Sequence, residues 1–193
     1  MYRGVFSEFE LTKMGVKFKG DESFSEMNCV GSSEETLDTK IVTKKCRGVT
    51  EREKVKGTGT GKLVISAHVP IEIYNKMYNM NREGLVEGAK AYGKNSVHPE
   101  FAITQTVVDE DDEVKLKAYT RCVMESGPTR PITNGAEEVA ELNMTISLLP
   151  DEDGECMYEA LESGINKEIA EKWMSEFTQE LLKVQKASET PIA

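Results

Sequence analysis

The chain has 193 residues, of which 38% are apolar and 30% charged, a size and balance for one compact domain with a heavily charged surface rather than two full domains. A formal net charge of −10 and a pI near 4.9 argue against a surface built to grip phosphate backbones. No apolar run approaches the ~18 residues needed to span a bilayer, and the first ten residues lack the basic-then-apolar layout of a secretory leader, so synthesis and assembly in a cytoplasm are expected.

From Gly4 to Lys19 the chain reads as one or two strands, with Val5, Phe6, Phe9, Leu11, Val16 and Phe18 interrupted by Gly15 and Gly20. Residues 21–33 are mixed and polar, and Gly31-Ser32-Ser33 reads as a turn. A β-branched stretch follows (Thr39, Ile41, Val42, Thr43, Val49), then the charged segment 50–56 and the glycine alternation Gly57-Thr58-Gly59-Thr60-Gly61. Strand propensity with little apolar content in the middle predicts a long hairpin, an arm over about residues 36–61 that projects from the core.

In the next stretch, Leu63, Ile65, Ala67 and Val69 share one phase of a strand that Pro70 ends. Proline also suits the first turn of a helix, and Ile73, Tyr74, Met77, Tyr78 and Met80 lie at helical spacing over 71–80. Strands are expected over 84–92 and 101–108. The acidic turn Asp109-Glu110-Asp111-Asp112-Glu113 then leads into a strand over 114–124, completing a hairpin. Strict alternation there puts Leu116, Ala118, Thr120, Cys122 and Met124 on one face and Lys115, Lys117, Tyr119 and Arg121 on the other.

Two prolines make 127–134 a loop. Leu142, Met144, Ile146 and Leu148 then alternate with Asn143, Thr145 and Ser147 in a half-buried strand assigned to 136–149, and Pro150 to Gly154 forms a turn. After a short segment with Met157, Tyr158 and Leu161, the period becomes helical: Ile165, Ile169, Trp173, Phe177, Leu181 and Val184 predict an amphipathic helix over 165–184. Its apolar stripe has to lie on the chain's own sheets or on a neighbouring subunit. The division expected is a β-rich domain over 1–162 and a helix with a fraying tail over 163–193.

Catalytic and cofactor chemistry is not indicated. Cys29, Cys46, Cys122 and Cys156 are widely separated and form no zinc signature, so buried free thiols are expected. The glycines before Lys62 lack the spacing and the following helix of a phosphate loop, and a flexible hinge is the better account. Asp151 to Glu162 superficially resembles a calcium loop, but its glycine is two positions early, which favours a solvated turn. The two histidines, His68 and His98, have no suitably spaced nucleophile or acid. Trp173 suits core or interface packing better than base stacking.

Four tokens occur in order through the middle of the chain: Val69-Pro70-Ile71 running into Tyr74, Gly88-Ala89-Lys90-Ala91-Tyr92-Gly93-Lys94-Asn95-Ser96, Pro99-Glu100-Phe101-Ala102, and an acidic turn leading to Lys117-Ala118-Tyr119. This succession resembles the major tail proteins of siphophages, the subunits of a long non-contractile bacteriophage tail. The resemblance implies a mainly β (α+β) fold of two packed antiparallel sheets in a small sandwich or barrel, with 71–80 as the flanking helix and 36–61 as the long loop. It implies a structural virion protein, not an enzyme, that needs no cofactor and stacks as hexameric rings into a tail tube. Its partners would be itself and other tail proteins such as the tape measure, tail terminator and distal tail proteins; DNA would transit the lumen without specific binding, and no membrane would be involved.

Lateral strand pairing around a closed ring would remove the free edges that such sheets otherwise expose. An acidic lumen would let the polyanion slide. The inter-subunit candidates are therefore Arg52, Lys54, Lys56, Thr58 and Thr60 on the arm, with Trp173 and Phe177 from the closing helix, which lies outside the matched segments. Asp109, Glu110, Asp111, Asp112 and Glu113 are candidates for the lumen or for a solvated turn. The competing readings are a cytoplasmic β-rich binding domain and a tube subunit of a contractile injection system.

Overall fold

Alternating apolar residues in short runs, broken by glycine and proline, build a mainly β chain in the computed structural model, which describes residues 4–27, 29–135 and 137–183. The strands are β1 (Glu10–Phe18), β2 (Ser25–Met27), β3 (Cys29–Cys46), β4 (Val49–His68), β5 (Phe101–Val108), β6 (Val114–Met124), β7 (Leu142–Leu148) and β8 (Tyr158–Leu161). Two helices accompany them, α1 (Ile71–Met77) and α2 (Lys167–Glu176). All ladders are antiparallel, and the order across the sheet is β2-β1-β5-β6-β7-β4-β3, with β8 on β6. Where two separate packed sheets were expected, one continuous, unclosed sheet of eight strands folds over on itself.

The fold-over happens at β6. Along one edge it pairs with β5; along the other, Lys115–Ala118 pair with β8 and Cys122–Met124 with β7. Phe101 lies opposite Cys122 while Ile103 lies opposite Tyr119, so β6 takes one residue more than β5 at Thr120–Arg121. A bulge of this kind reverses which face later side chains occupy. Leu116 and Ala118 therefore pack beneath α2, whereas Tyr119, Cys122 and Met124 enter the main core. Strict alternation along 114–124 fails for this reason.

The main core joins Met14, Val16 and Phe18 of β1 and Ile103 of β5 to Leu63 and Ile65 of β4 and Met144 and Ile146 of β7. Helix α1 closes it with Ile73, Tyr74 and Met77; Pro70 precedes its first turn as anticipated, and the helix ends at Met77, earlier than the apolar spacing suggested. A second, smaller core holds Leu116, Ala118, Ala170, Trp173 and Phe177, flanked by Phe24, Tyr158, Ile165, Ile169 and Leu181. Cys122 and Cys156 are buried thiols as expected, but Cys29 and Cys46 are exposed.

Four further expectations change. Gly31-Ser32-Ser33 is not a turn: it lies in β3, whose register slips between Val30 and Ser32. Residues 84–92 form no strand, and Leu85 and Val86 face solvent. That segment is held instead by Arg82, which donates to the Asn95 carbonyl (3.0 Å) and Ser96 Oγ (2.6 Å), and by Ala91 N–H to the Met80 carbonyl (3.0 Å). The strand assigned to 136–149 is confined to Leu142–Leu148. The closing helix spans only Lys167–Glu176, capped by the Asn166 side chain, and turns at Phe177 before one 3-10 turn at Gln179–Leu182. Lys183 ties that turn to Asp153 (3.0 Å), and Phe177 stays buried against Trp173. Val184 and the tail to Ala193 lie outside the described residues.

The helix therefore lies on this chain's own sheet. Trp173 is 0% exposed and donates its indole N–H to the Lys117 carbonyl at 3.0 Å. Replacing Trp173 with Ala is expected to cost about 3–5 kcal/mol of monomer stability in urea unfolding, the range for truncating a buried tryptophan. A loss below about 1 kcal/mol would mean the helix is not part of the core.

Candidate functional site

The β3–β4 hairpin leaves the body as the predicted arm. β7 covers β4 only from Gly61 to Ala67, so among the described residues the two strands pair with each other alone between Asp38 and Thr58. Nearly every residue there is exposed, including Ile41 and Val55, 61% and 62% accessible. The eight residues from Thr39 to Cys46 extend it by about 25 Å. Arg47 and Gly48 close the tip with positive φ values of 50° and 83°, as a two-residue type I′ loop requires.

Cross-strand register gives the arm two unlike faces, because directly opposed residues share a face. One carries the pairs Lys40–Lys56, Val42–Lys54 and Lys44–Arg52; the other carries Ile41–Val55 and Thr43–Glu53. Arg52, Lys54 and Lys56, singled out from the sequence, thus share a cationic face with Lys40 and Lys44. Among the described residues only Lys44 of this set forms an ion pair, with Glu51 at 2.8 Å.

Thr58 and Thr60 serve at the root rather than on the blade. Leu37 pairs with Gly61 and Thr39 with Gly57, so β4 spends extra residues there as a bulge. Thr58 donates to the Asp38 carbonyl (3.2 Å), Thr60 to Asp38 Oδ2 (2.9 Å), and the two hydroxyls lie 2.7 Å apart. Gly59 has φ +74°, and a Cβ there would collide with the Gly154 carbonyl oxygen. The glycine tract is therefore a braced junction and not a free hinge. Its brace continues outward: Arg121 donates to the Pro150 carbonyl at 2.8 Å and forks onto Glu100 at 2.7 and 3.1 Å, fixing the turn that touches Gly59.

The acidic turn is less solvated than its composition suggests. Asp109 is buried, and its Oδ1 accepts from the backbone N–H groups of Asp111 (2.9 Å) and Glu113 (2.8 Å). Glu113 accepts from Ser163, leaving Glu110, Asp111 and Asp112 exposed. Asp151 plays a similar part in the turn that looked like a calcium loop: its side chain accepts from Asp153 and Glu155 N–H and from the Tyr158 hydroxyl. Trp173 and Phe177 are buried in the second core and are not presented to a neighbour. His68 is exposed in β4, and His98 bridges Tyr92 and the Met124 carbonyl. No group of His, Cys, Asp and Glu suited to a metal occurs among the described residues.

A polar cluster missed in the sequence fills the gap between β3 and the β5–β6 pair. Lys117, with a side chain only 4% exposed, meets Glu8 at 2.8 Å and Glu35 at 3.0 Å; Tyr119 donates to Glu35 at 2.5 Å, and Gln105 donates to Ser33 at 2.8 Å. Burial alone would lower the Lys117 pKa, but its hydrogen bonds to Glu8 and Glu35 outweigh that and raise it. Burial alone would raise Glu8, yet the hydrogen bond and charge of Lys117, with Lys115 behind, hold its carboxyl below the usual range. Burial, then the charge of Glu35, pushes the Tyr119 phenol up. The cluster pins the root of β3 and the N-terminal segment to the body, and every member has a partner.

No family model matches the chain, and no curated protein matches it.

Lys117→Met is expected to cost about 3 kcal/mol near neutral pH, the low end for breaking a buried pair because Glu8 can turn to water. The sign of each shift sets the window. The raised lysine contributes fully below its ordinary 10.5 and loses that contribution as pH rises through the higher folded value. The lowered Glu8 contributes above its ordinary 4.5 and loses it as pH falls through the lower folded value. The stability gap between wild type and variant, followed by urea unfolding across pH, should be widest between those limits and narrow on both sides; a gap independent of pH would contradict this assignment.

Proposed function

We propose that this chain is a major tail protein of a long non-contractile bacteriophage tail, a structural subunit that stacks in hexameric rings to form the conduit for DNA ejection. The observation carrying this reading is the arm: a two-stranded ribbon, exposed along its length, with apolar Ile41 and Val55 on one face and left uncovered by the described residues. Exposed apolar residues on a projecting element suit burial by a partner better than solvation.

Strand edges add support. The sheet does not close, and β2 and β3 end its path with one side each left unpaired by the described residues, a condition that self-association in a ring would relieve. Head-to-tail contact between unlike surfaces then propagates a tube. The resemblance segments fall on body elements rather than on the arm: Val69-Pro70-Ile71 at the β4–α1 junction, 88–96 in the connection before β5, and Lys117-Ala118-Tyr119 in β6. In this reading the subunit assembles in the host cytoplasm, meets the tape measure, terminator and distal tail proteins, and ends in the virion. Exposed Glu110, Asp111 and Asp112 are the acids of the β5–β6 turn available to keep a lumen wall from gripping DNA. A contractile-system tube would draw on the same features.

Excising residues 40–56 and closing the strands with Asn-Gly tests the reading, since that cut removes no buried residue and spares Gly59 and Gly61, which a cut over 50–61 would lose. Wild type should form rings or tubes at high concentration by negative-stain microscopy and size-exclusion chromatography. The shortened chain should remain a folded monomer that still unfolds cooperatively in urea, its circular dichroism reduced only by the strand residues removed. Tubes formed equally well by the shortened chain, or a wild type that stays monomeric throughout, would refute the proposal.

A further inference from the structure

The arm and the body carry opposite charge. Residues 39–57 hold seven Lys and Arg (Lys40, Lys44, Lys45, Arg47, Arg52, Lys54, Lys56) against Glu51 and Glu53, a balance of +5 within a chain of formal net charge −10, which leaves −15 on the rest. Register concentrates that charge further, setting Lys40 directly opposite Lys56 and Lys44 opposite Arg52 on one face. Like charges in directly opposed positions destabilise a hairpin, so this arrangement weakens the isolated arm.

Two explanations compete for such a stripe. Lysines on an exposed strand guard against unwanted strand pairing, but a guard works with either sign and gains nothing from opposed like charges. Attraction to a negative partner, by contrast, turns each opposed pair into a double contact. That partner is present in the same chain. Exposed Glu72, Glu83, Glu87, Glu137 and Glu138, none of them in the β5–β6 turn, form no ion pair among the described residues, while the arm cations other than Lys44 form none either. A phosphate backbone would also attract the stripe, yet a body of −15 repels nucleic acid, and the apolar Ile41–Val55 face has nothing to pack on along a phosphate ridge.

We propose that the arm is a cationic clamp for the acidic body surface of a second copy of this chain, with Lys40, Lys44, Arg52, Lys54 and Lys56 paired to that copy's carboxylates. The clamp rests on the self-assembling reading above and names its partner surface. It makes assembly salt-dependent, since exposed pairs are screened over about 10 Å at 0.1 M salt and about 3 Å at 1 M. The braced root holds the stripe at a fixed angle to the body, so one copy presents its cations in a constant geometry to the next.

The test reverses the sign while keeping the guard. A Lys40→Glu, Arg52→Glu, Lys54→Glu variant should fold as wild type by circular dichroism but need at least about tenfold more protein to assemble at low salt, as three exposed pairs of about 0.5 kcal/mol each turn repulsive. A Lys40→Arg, Lys54→Arg variant should assemble normally. Carbodiimide, which joins amines only to carboxylates in contact, should link arm lysines to acidic peptides between isotopically light and heavy copies of wild type. Normal assembly by the reversed variant overturns the clamp and leaves the tail-tube reading standing; a wild type that never assembles removes both. Binding of wild type to a duplex DNA probe, lost in the reversed variant while assembly persists, assigns the stripe to nucleic acid and overturns the clamp.

Discussion

Strand β6 has a paired neighbour along both edges and packed side chains on both faces, and the rest of the molecule is arranged around that double burden. Its N-terminal half serves the small core under α2, its C-terminal half serves the main core, and one additional residue at Thr120–Arg121 changes the allegiance. Remove the bulge and either Leu116 and Ala118 or Cys122 and Met124 would face the wrong way. The indole of Trp173, bonded to the Lys117 carbonyl, fastens the helix to the same strand whose inward side chain holds β3. A single strand thus couples the closing helix, the N-terminal segment and the base of the arm.

That coupling explains where the polar chemistry sits. Lys117 is tolerated in the interior because Glu8 and Glu35 arrive from two other segments, and Tyr119 donates to the second carboxylate oxygen of Glu35. The arrangement closes a side of the sheet where β3 and the β5–β6 pair have no strand ladder between them. Side chains do there what backbone pairing does elsewhere.

Period-two and period-three-to-four patterns were enough to locate β1, β5, β7, the strand leading to Pro70, both helices and the arm, although β7 and both helices are shorter than those patterns suggested. They failed where the environment changes within an element. Leu116 to Met124 reads as one face until the bulge, and Ile165 to Leu181 reads as one helix although the apolar stripe survives a break at Phe177. Residues 84–92 looked extended, yet their conformation is set by Arg82 reaching thirteen and fourteen positions ahead, a contact no local pattern carries. The arm cations were visible one by one; their grouping on one face needed the register, which depends on where the bulges fall. Lys117, between Leu116 and Ala118, was the one local sign of an interior charge.

The junction at Gly59 makes the arm a cantilever. Its support is bonded through Asp38 and pressed against Gly154, while the two strands of the blade beyond pair only with each other among the described residues. Any small rotation at such a support is magnified in proportion to the overhang, so tolerance is tight at a handful of root positions and generous along the blade. Lengthening or trimming the blade by matched residues would alter reach without disturbing direction, whereas a single methyl at Gly59 would re-aim the whole overhang.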